Sequence, residues 1–109
     1  MAYFLAWFRA FLFTQMVETP IYSVGLRIGI LPALGASAIT HPILWFVLFP
    51  QLHLPYVWLV VIGESFAVAV EAAYFGLLFR RRRALLWSLA ANAASFSTGL
   101  LSRALFGVP

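Results

Sequence analysis

The sequence predicts an all-α protein, a transmembrane four-helix bundle with short connections. Of its 109 residues, 64% are hydrophobic and only 9% are charged, whereas soluble domains carry about 25% charged residues. The mean hydropathy is +0.99. Four apolar segments each reach the roughly 20 residues that a membrane-spanning helix needs, and clusters of glycine, proline or charge separate them.

The predicted spans cover residues 3–24, 31–49, 54–79 and 84–106, and they form one integral membrane domain over residues 1–109. The first span is apolar enough to resemble a signal peptide. It lacks a basic leading region and a small-residue cleavage site, so we expect a mature helix. The connections are only a few residues long, which forces neighbouring helices to run antiparallel.

Arginines predict the orientation. Arg80, Arg81, Arg82 and Arg83 directly follow the third span, Arg27 lies in the first connection, and the second connection has no arginine. The positive-inside rule then places the first and third connections in the cytoplasm and both termini on the non-cytoplasmic side, in a bacterial inner membrane. The arginine block is a topology signal that contacts lipid headgroups. We expect no nucleic-acid partner, because no dispersed basic face exists.

Polar side chains from all four spans are predicted to lie in one middle layer. At ~1.5 Å per residue, they lie about 9–16 Å from the cytoplasmic helix ends, within a core ~30 Å thick. These residues are Glu18, His41, Glu71, Asn92 and Ser95. Glu64 shares a helical face with Glu71 but lies two turns closer to the other side.

Buried carboxylates need compensation. A charged residue at a helix centre costs ~2.5–3.5 kcal/mol on insertion scales, and three at that cost approach the ~5–15 kcal/mol stability of a whole domain. The glutamates must therefore be protonated, paired or hydrated. A pair with His41, a shared proton or a bound cation would satisfy them. The alternative is a hydrogen-bonded network that only holds the bundle in register, with small residues as packing contacts.

Two prolines fall inside predicted spans. Pro20 follows Glu18 by two residues, and Pro42 directly follows His41. Each proline deprives the carbonyl four residues earlier of its donor, namely those of Met16 and Ala38. These carbonyls are candidates for holding water or a cation; the alternative is that the prolines only kink the helices.

More specific chemistry finds less support. Glu18, His41, Glu71 and Asn92 carry donors suited to zinc or manganese, but no ligand-spacing motif is present, so the metal stays open and no cofactor is predicted beyond a bound cation. Ser95, His41 and a glutamate would supply the groups of an intramembrane hydrolase, yet no nucleophile elbow accompanies them. The absence of cysteine excludes disulfides and thiolate metal sites. An enzyme is therefore the less expected class.

Three segments carry a family resemblance: "THP" in the second span, "GESFAVAVEAAY" in the third and "SLAANAASFSTG" in the fourth. In this combination the chain resembles a loose group of small bacterial multi-span membrane proteins with no known activity. The resemblance implies that the second to fourth spans form a unit, and it implies no activity.

The sequence thus predicts a small polytopic membrane protein with an intramembrane Glu/His/Asn site that handles protons or a cation, of transport or channel type. Four short helices enclose little space, so we expect a homo-oligomer or a larger membrane complex in the lipid bilayer. The spacings Ser95 to Gly99 and Ala90 to Ala94 are candidate contact faces. The rival prediction is a non-catalytic accessory or structural subunit of a membrane complex.

Overall fold

The computed structural model describes residues 1–107 and consists of four helices. They are α1 (Ala2–Gly25), α2 (Ile30–Gln51), α3 (Tyr56–Leu78) and α4 (Ala84–Phe106). Within residues 1–107 no strand is formed. Each helix packs against its neighbours in the chain, and α4 also packs against α1, which closes a ring of four. The prediction of an all-helical chain with four helices is confirmed.

Residues with special backbone preferences, proline and glycine, determine where two of the helices begin or end. The helix α3 begins at Tyr56, two residues later than predicted, because Pro55 is extended (φ −55°, ψ 154°) and precedes the first turn. The helix α2 continues two residues beyond the prediction, to Gln51. The helix α4 ends at Phe106, and the left-handed φ of 72° at the following Gly107 lets its N–H donate to the Arg103 carbonyl at 3.0 Å. This is a common helix stop, since glycine carries no Cβ penalty there.

Two helices contain a π-helical turn. In α2 this turn covers Leu44–Leu48 and in α3 it covers Tyr74–Leu78. The first begins two residues after Pro42, which lies inside α2 as Pro20 lies inside α1. A π-helical turn carries one extra residue and is frequent at functional sites. A cation or water held by the Met16 and Ala38 carbonyls stays a prediction.

Three of the helices, α2, α3 and α4, are long and apolar enough to cross a membrane. The helix α1 has 24 residues but is not among them, because Arg9, Gln15 and Glu18 lower its hydropathy. Only 28%, 17% and 28% of the most apolar windows of α2, α3 and α4 are buried. Most of the apolar surface therefore faces outward.

The end of the bundle that carries the first and third connections is packed and closed; we call it the arginine end. Arg81 joins the two connections there. Its Nε donates to the Leu26 carbonyl at 3.0 Å, its Nη2 to the Arg27 carbonyl at 3.4 Å and its Nη1 to the Phe79 carbonyl at 2.9 Å. One cluster of buried apolar residues lies at this end. It consists of Tyr22, Leu26, Ile28, Ala33, Ala36, Phe75, Ala84 and Ala91.

The helices α1 and α4 approach each other closely near this end, where Gly25 faces Trp87. A Cβ atom at Gly25 would lie 2.5 Å from two carbon atoms of the Trp87 ring. Real Cβ atoms do not come so close, so glycine is required for this contact.

We expect Gly25→Ala to destabilise the protein by about 1–3 kcal/mol, because the Trp87 ring must move out of a packed interface. The thermal unfolding midpoint of the purified protein in detergent measures this. Gly29→Ala is the matched control, since its Cβ would meet only Pro32 at an ordinary 3.5 Å. Equal midpoints for the two variants would contradict the close approach of α1 and α4.

Candidate functional site

All four helices converge on the carboxyl group of Glu71, which is 1% exposed. Its Oε1 accepts hydrogen bonds from the Tyr22 hydroxyl at 2.5 Å and from Asn92 Nδ2 at 3.1 Å. Its Oε2 accepts one from Thr40 Oγ1 at 2.7 Å. The donors lie on α1, α4 and α2, so a single α3 side chain links the whole bundle.

Glu18, also 1% exposed, lies beside Glu71. Its Oε1 accepts a hydrogen bond from Ser37 Oγ at 3.0 Å, and its Oε2 accepts one from Ser95 Oγ at 2.5 Å. The Glu18 and Glu71 carboxyl groups lie close enough for the charge of one to act on the other. Two neighbouring carboxylates repel each other, so a proton on one of them removes the repulsion. We call these two residues the carboxyl pair.

Further hydrogen bonds fix the donors of this network. Asn92 Nδ2 also donates to the Ser88 carbonyl at 2.9 Å, and Ser88 Oγ donates to the Val68 carbonyl of α3 at 2.9 Å. The Tyr22 ring packs against Phe75 with centroids 4.4 Å apart. Tyr22 and Asn92 therefore each have a second contact that holds them beside Glu71.

Two cavities of about 350 and 360 Å³ share much of their lining, and the second adjoins the carboxyl pair. The second reaches Glu18, Glu71 and Asn92 at its floor, and it also borders Tyr3 and Arg103, which are exposed at the end opposite the arginine end. Between the carboxyl pair and the arginine end, the buried side chains of Tyr22 and Phe75 fill the bundle. The combined space, which we call the cavity, therefore reaches the end opposite the arginine end and is closed toward the arginine end.

His41 lies in the cavity wall and not against a glutamate. Its Nε2 lies 3.1 Å from Thr14 Oγ1, and its ring stacks on Trp45 with centroids 6.3 Å apart. Its Nδ1 is buried without a hydrogen-bond partner among residues 1–107. The Glu–His pair considered from the sequence is therefore not formed. Because successive helix residues point about 100° apart, Thr40 faces Glu71 while His41 turns toward α1.

Glu64 also lies in the cavity wall, two turns from Glu71 and partly buried. Within the described part of the chain its carboxyl group has no hydrogen-bond partner, in contrast to the carboxyl pair. The predicted site residues thus divide into two groups. Glu18, Glu71, Asn92 and Ser95 meet in one network, whereas His41 and Glu64 line the space that leads to it.

Three network members were not among the predicted site residues: Tyr22, Ser37 and Thr40. Tyr22 is four residues from Glu18 and Ser37 is four residues from His41, whereas Thr40 directly precedes His41. Residues four apart share a helical face, so the spacing carried a signal for the first two. Tyr22, Ser37 and Thr40 were hard to recognise as site residues, because small and aromatic side chains are both common in ordinary helix packing.

The helix face with Ser95 and Gly99 is occupied within the chain. Ser95 bonds Glu18, and Gly99 packs beside Phe13 of α1. An oligomer contact would need another surface, such as the one at Ala90, which is exposed. The arginine block lies at the arginine end, away from the cavity mouth, and Arg80, Arg82 and Arg83 are exposed there.

The positions of the site residues can be compared with those that a metal site or a hydrolase would need. Over residues 1–107 no three His, Cys, Asp or Glu side chains are grouped so that they could hold a metal ion. Ser95 Oγ donates to Glu18 and the His41 ring contacts Thr14, so these residues do not form the Ser–His contact that a catalytic triad requires.

Comparison of the chain with protein-family models, with curated proteins and with solved structures finds no match. The resemblance to small bacterial multi-span proteins therefore stays a prediction, and the functional argument depends on the geometry of the site alone.

Proposed function

We propose that this chain is an integral membrane protein that handles protons, or a cation that competes with them, at the carboxyl pair, as part of a transport or channel function. The observation that carries the proposal is the position of two buried, neighbouring carboxyl groups at the floor of a cavity that reaches one end of the bundle. A proton that enters the cavity can reach this pair without crossing the packed arginine end.

The distribution of side chains supports a membrane setting. Large apolar residues are exposed along the outside, for example Leu31 at 80%, Leu77 at 78% and Leu105 at 65%. Polar side chains are buried inside, including Ser37 and Ser88 at 1% and 0%. Soluble proteins rarely expose large contiguous apolar surface, whereas a lipid environment favours this arrangement.

We place the arginine end in the cytoplasm of a bacterial inner membrane, with both termini and the cavity mouth on the non-cytoplasmic side. The support is the positive-inside rule, applied to the exposed Arg27, Arg80, Arg82 and Arg83. The second connection, at the mouth end, contains no arginine.

The orientation is testable because the natural chain has no cysteine. We expect a membrane-impermeant maleimide to label His53→Cys in intact bacterial spheroplasts, because His53 is exposed in the second connection. Arg82→Cys should be labelled only after the membrane is permeabilised. The reverse pattern would place the cavity mouth in the cytoplasm and contradict the proposed orientation.

The partners of the carboxyl pair suit a site that changes its protonation state. Four of the five side-chain donors are hydroxyl groups, from Tyr22, Ser37, Thr40 and Ser95. A hydroxyl group donates to a carboxylate and accepts from a carboxylic acid, so it can satisfy both forms. An arginine or lysine partner would hold the carboxylate ionised. Glu18, whose two side-chain donors are both hydroxyls, is the carboxyl that we expect to carry the shared proton.

Passage of a proton or cation across the membrane requires either a conformational change of this chain or a second subunit. Tyr22 and Phe75 are fully buried between the carboxyl pair and the arginine end. A proton or cation bound at the pair must therefore pass by rearrangement of this packing or through a neighbouring subunit. We accordingly propose a homo-oligomer or a larger membrane complex as the working unit.

Proton flux into proteoliposomes, followed with an enclosed pH-sensitive dye, tests the proposal. Glu71→Gln and Glu18→Gln should each lower the flux by about tenfold or more, because glutamine keeps the shape but has no titrating proton. Ser65→Ala, on the exposed side of α3, is the control for expression and insertion. Flux at the natural level in Glu71→Gln would remove Glu71 from the mechanism.

A second candidate is a non-catalytic accessory subunit that packs against a larger membrane partner. The observation that favours it is the linkage of all four helices through the carboxyl pair, which also describes a purely structural network. In that case the protein would purify in stoichiometric complex with another subunit, the isolated chain would show no flux, and Glu71→Gln would weaken assembly.

Tyr22→Phe measures the structural part of the network. It removes the hydroxyl that donates to Glu71 but keeps the ring on Phe75, and we expect a loss of roughly 1–3 kcal/mol in the free energy of unfolding. Tyr56→Phe is the control, because Tyr56 is 63% exposed. Equal stability of the two variants would show that the 2.5 Å bond between Tyr22 and Glu71 contributes little to the fold.

A further inference from the structure

One wall of the cavity is aromatic. His41, Trp45 and Phe49 follow one another at intervals of four residues along α2, so they form one stripe. The Trp45 and Phe49 rings lie 6.3 Å apart between centroids. From α1, Tyr3 packs on Trp45 at 5.5 Å, and its hydroxyl donates to the Trp45 carbonyl at 2.5 Å. The wall is therefore held in place and does not consist of loose side chains.

The facing wall, on α3, combines small residues with one carboxyl group. Gly63 lies beside the Phe49 ring, where a Cβ would come within 3.1 Å of Cζ, and Ala67 continues the same side of the helix. Glu64 lies between them in the chain and is a wall residue of both parts of the cavity. The small residues Gly63 and Ala67 leave space for the cavity, and Glu64 supplies its charge.

Charge in the cavity is acidic inside and basic only at the mouth. Glu64 lies in the wall, and the carboxyl pair forms the floor. Arg9 and Arg103 border the mouth but are exposed to the surroundings, where solvent and salt screen their charge. A ligand inside the cavity therefore meets acidic groups, and its complement is a positive charge.

The chemistry of the walls favours an organic cation over a metal ion. A hard metal ion needs several free oxygen ligands, whereas the oxygens of the carboxyl pair already accept hydrogen bonds. An organic ammonium group is weakly hydrated and binds to aromatic faces beside a single carboxylate. The volume of about 360 Å³ is within the range of small-molecule sites, about 300–1,000 Å³.

We propose that the cavity binds a small organic cation, a quaternary ammonium or protonated amine, with its charged group beside Glu64 and its carbon atoms against Trp45 and the neighbouring rings. This inference rests on the proposed function for its membrane setting and deepens it by naming the class of ligand. The bound cation occupies the route between the mouth and the carboxyl pair.

Choline is a suitable probe, and 3,3-dimethylbutan-1-ol, which has the same shape without the charge, is its matched control. We expect radiolabelled choline to bind saturably to the detergent-purified protein and the neutral alcohol not to compete. Glu64→Gln should weaken choline binding by about tenfold, with the thermal midpoint unchanged, because Glu64 has no hydrogen-bond partner to lose within the described chain.

A pair of tryptophan variants tests the aromatic wall. Trp45→Leu should weaken choline binding by about tenfold, whereas Trp58→Leu should not, because Trp58 is 55% exposed and lies outside the cavity lining. Should Trp45→Leu fail to fold, the comparison of Glu64→Gln with the natural chain decides on its own.

Three outcomes would overturn the inference: no saturable choline binding, equal competition by the neutral alcohol, or unchanged affinity in Glu64→Gln. Binding only of a zwitterion such as betaine, lost in Arg103→Gln, would also overturn it. Proton flux that depends on Glu71 in a protein that does not bind choline would refute this inference and leave the proposed function intact. Choline binding without any proton flux would refute the proposed function and leave this inference intact.

Discussion

The structure depends on one buried carboxyl group and the four helices that satisfy it. Glu71 takes hydrogen bonds from Tyr22, Thr40 and Asn92, and each comes from a different helix. A buried carboxylate left without donors is costly, so the rotation and depth of every helix are constrained by this contact. The neighbouring Glu18 adds Ser37 and Ser95 to the same layer. The bundle is thus organised from a polar centre outward.

This arrangement divides the interior into two halves with different properties. On one side of the carboxyl pair, Tyr22 and Phe75 are fully buried and fill the space. On the other side, small residues such as Gly63 and Ala67 leave a cavity between aromatic and acidic walls. The cavity therefore reaches the carboxyl pair from one side, while Tyr22 and Phe75 pack against it from the other.

Much of the fold was predictable because helix length, hydropathy and the short connections are local properties of the chain. Depth along each helix was predictable for the same reason, since a fixed rise per residue places Glu18 and Glu71 at similar levels. Rotation about the helix axes was not. It depends on how the helices pack against one another, and in this packing Thr40 and not His41 meets Glu71. The π-helical turns at Leu44–Leu48 and Tyr74–Leu78 further change the direction of the side chains that follow them.

The contacts of Arg81 have a consequence for how this sequence can vary. All three acceptors of its guanidinium group are main-chain carbonyls, those of Leu26, Arg27 and Phe79. Every amino acid supplies a carbonyl, so the residues that receive these bonds can change in evolution without loss of the link. Lysine presents a compact point charge and cannot direct three fixed donors in this way. The four consecutive arginines are therefore not equivalent: position 81 needs the guanidinium for its three contacts, whereas Arg80, Arg82 and Arg83 are exposed.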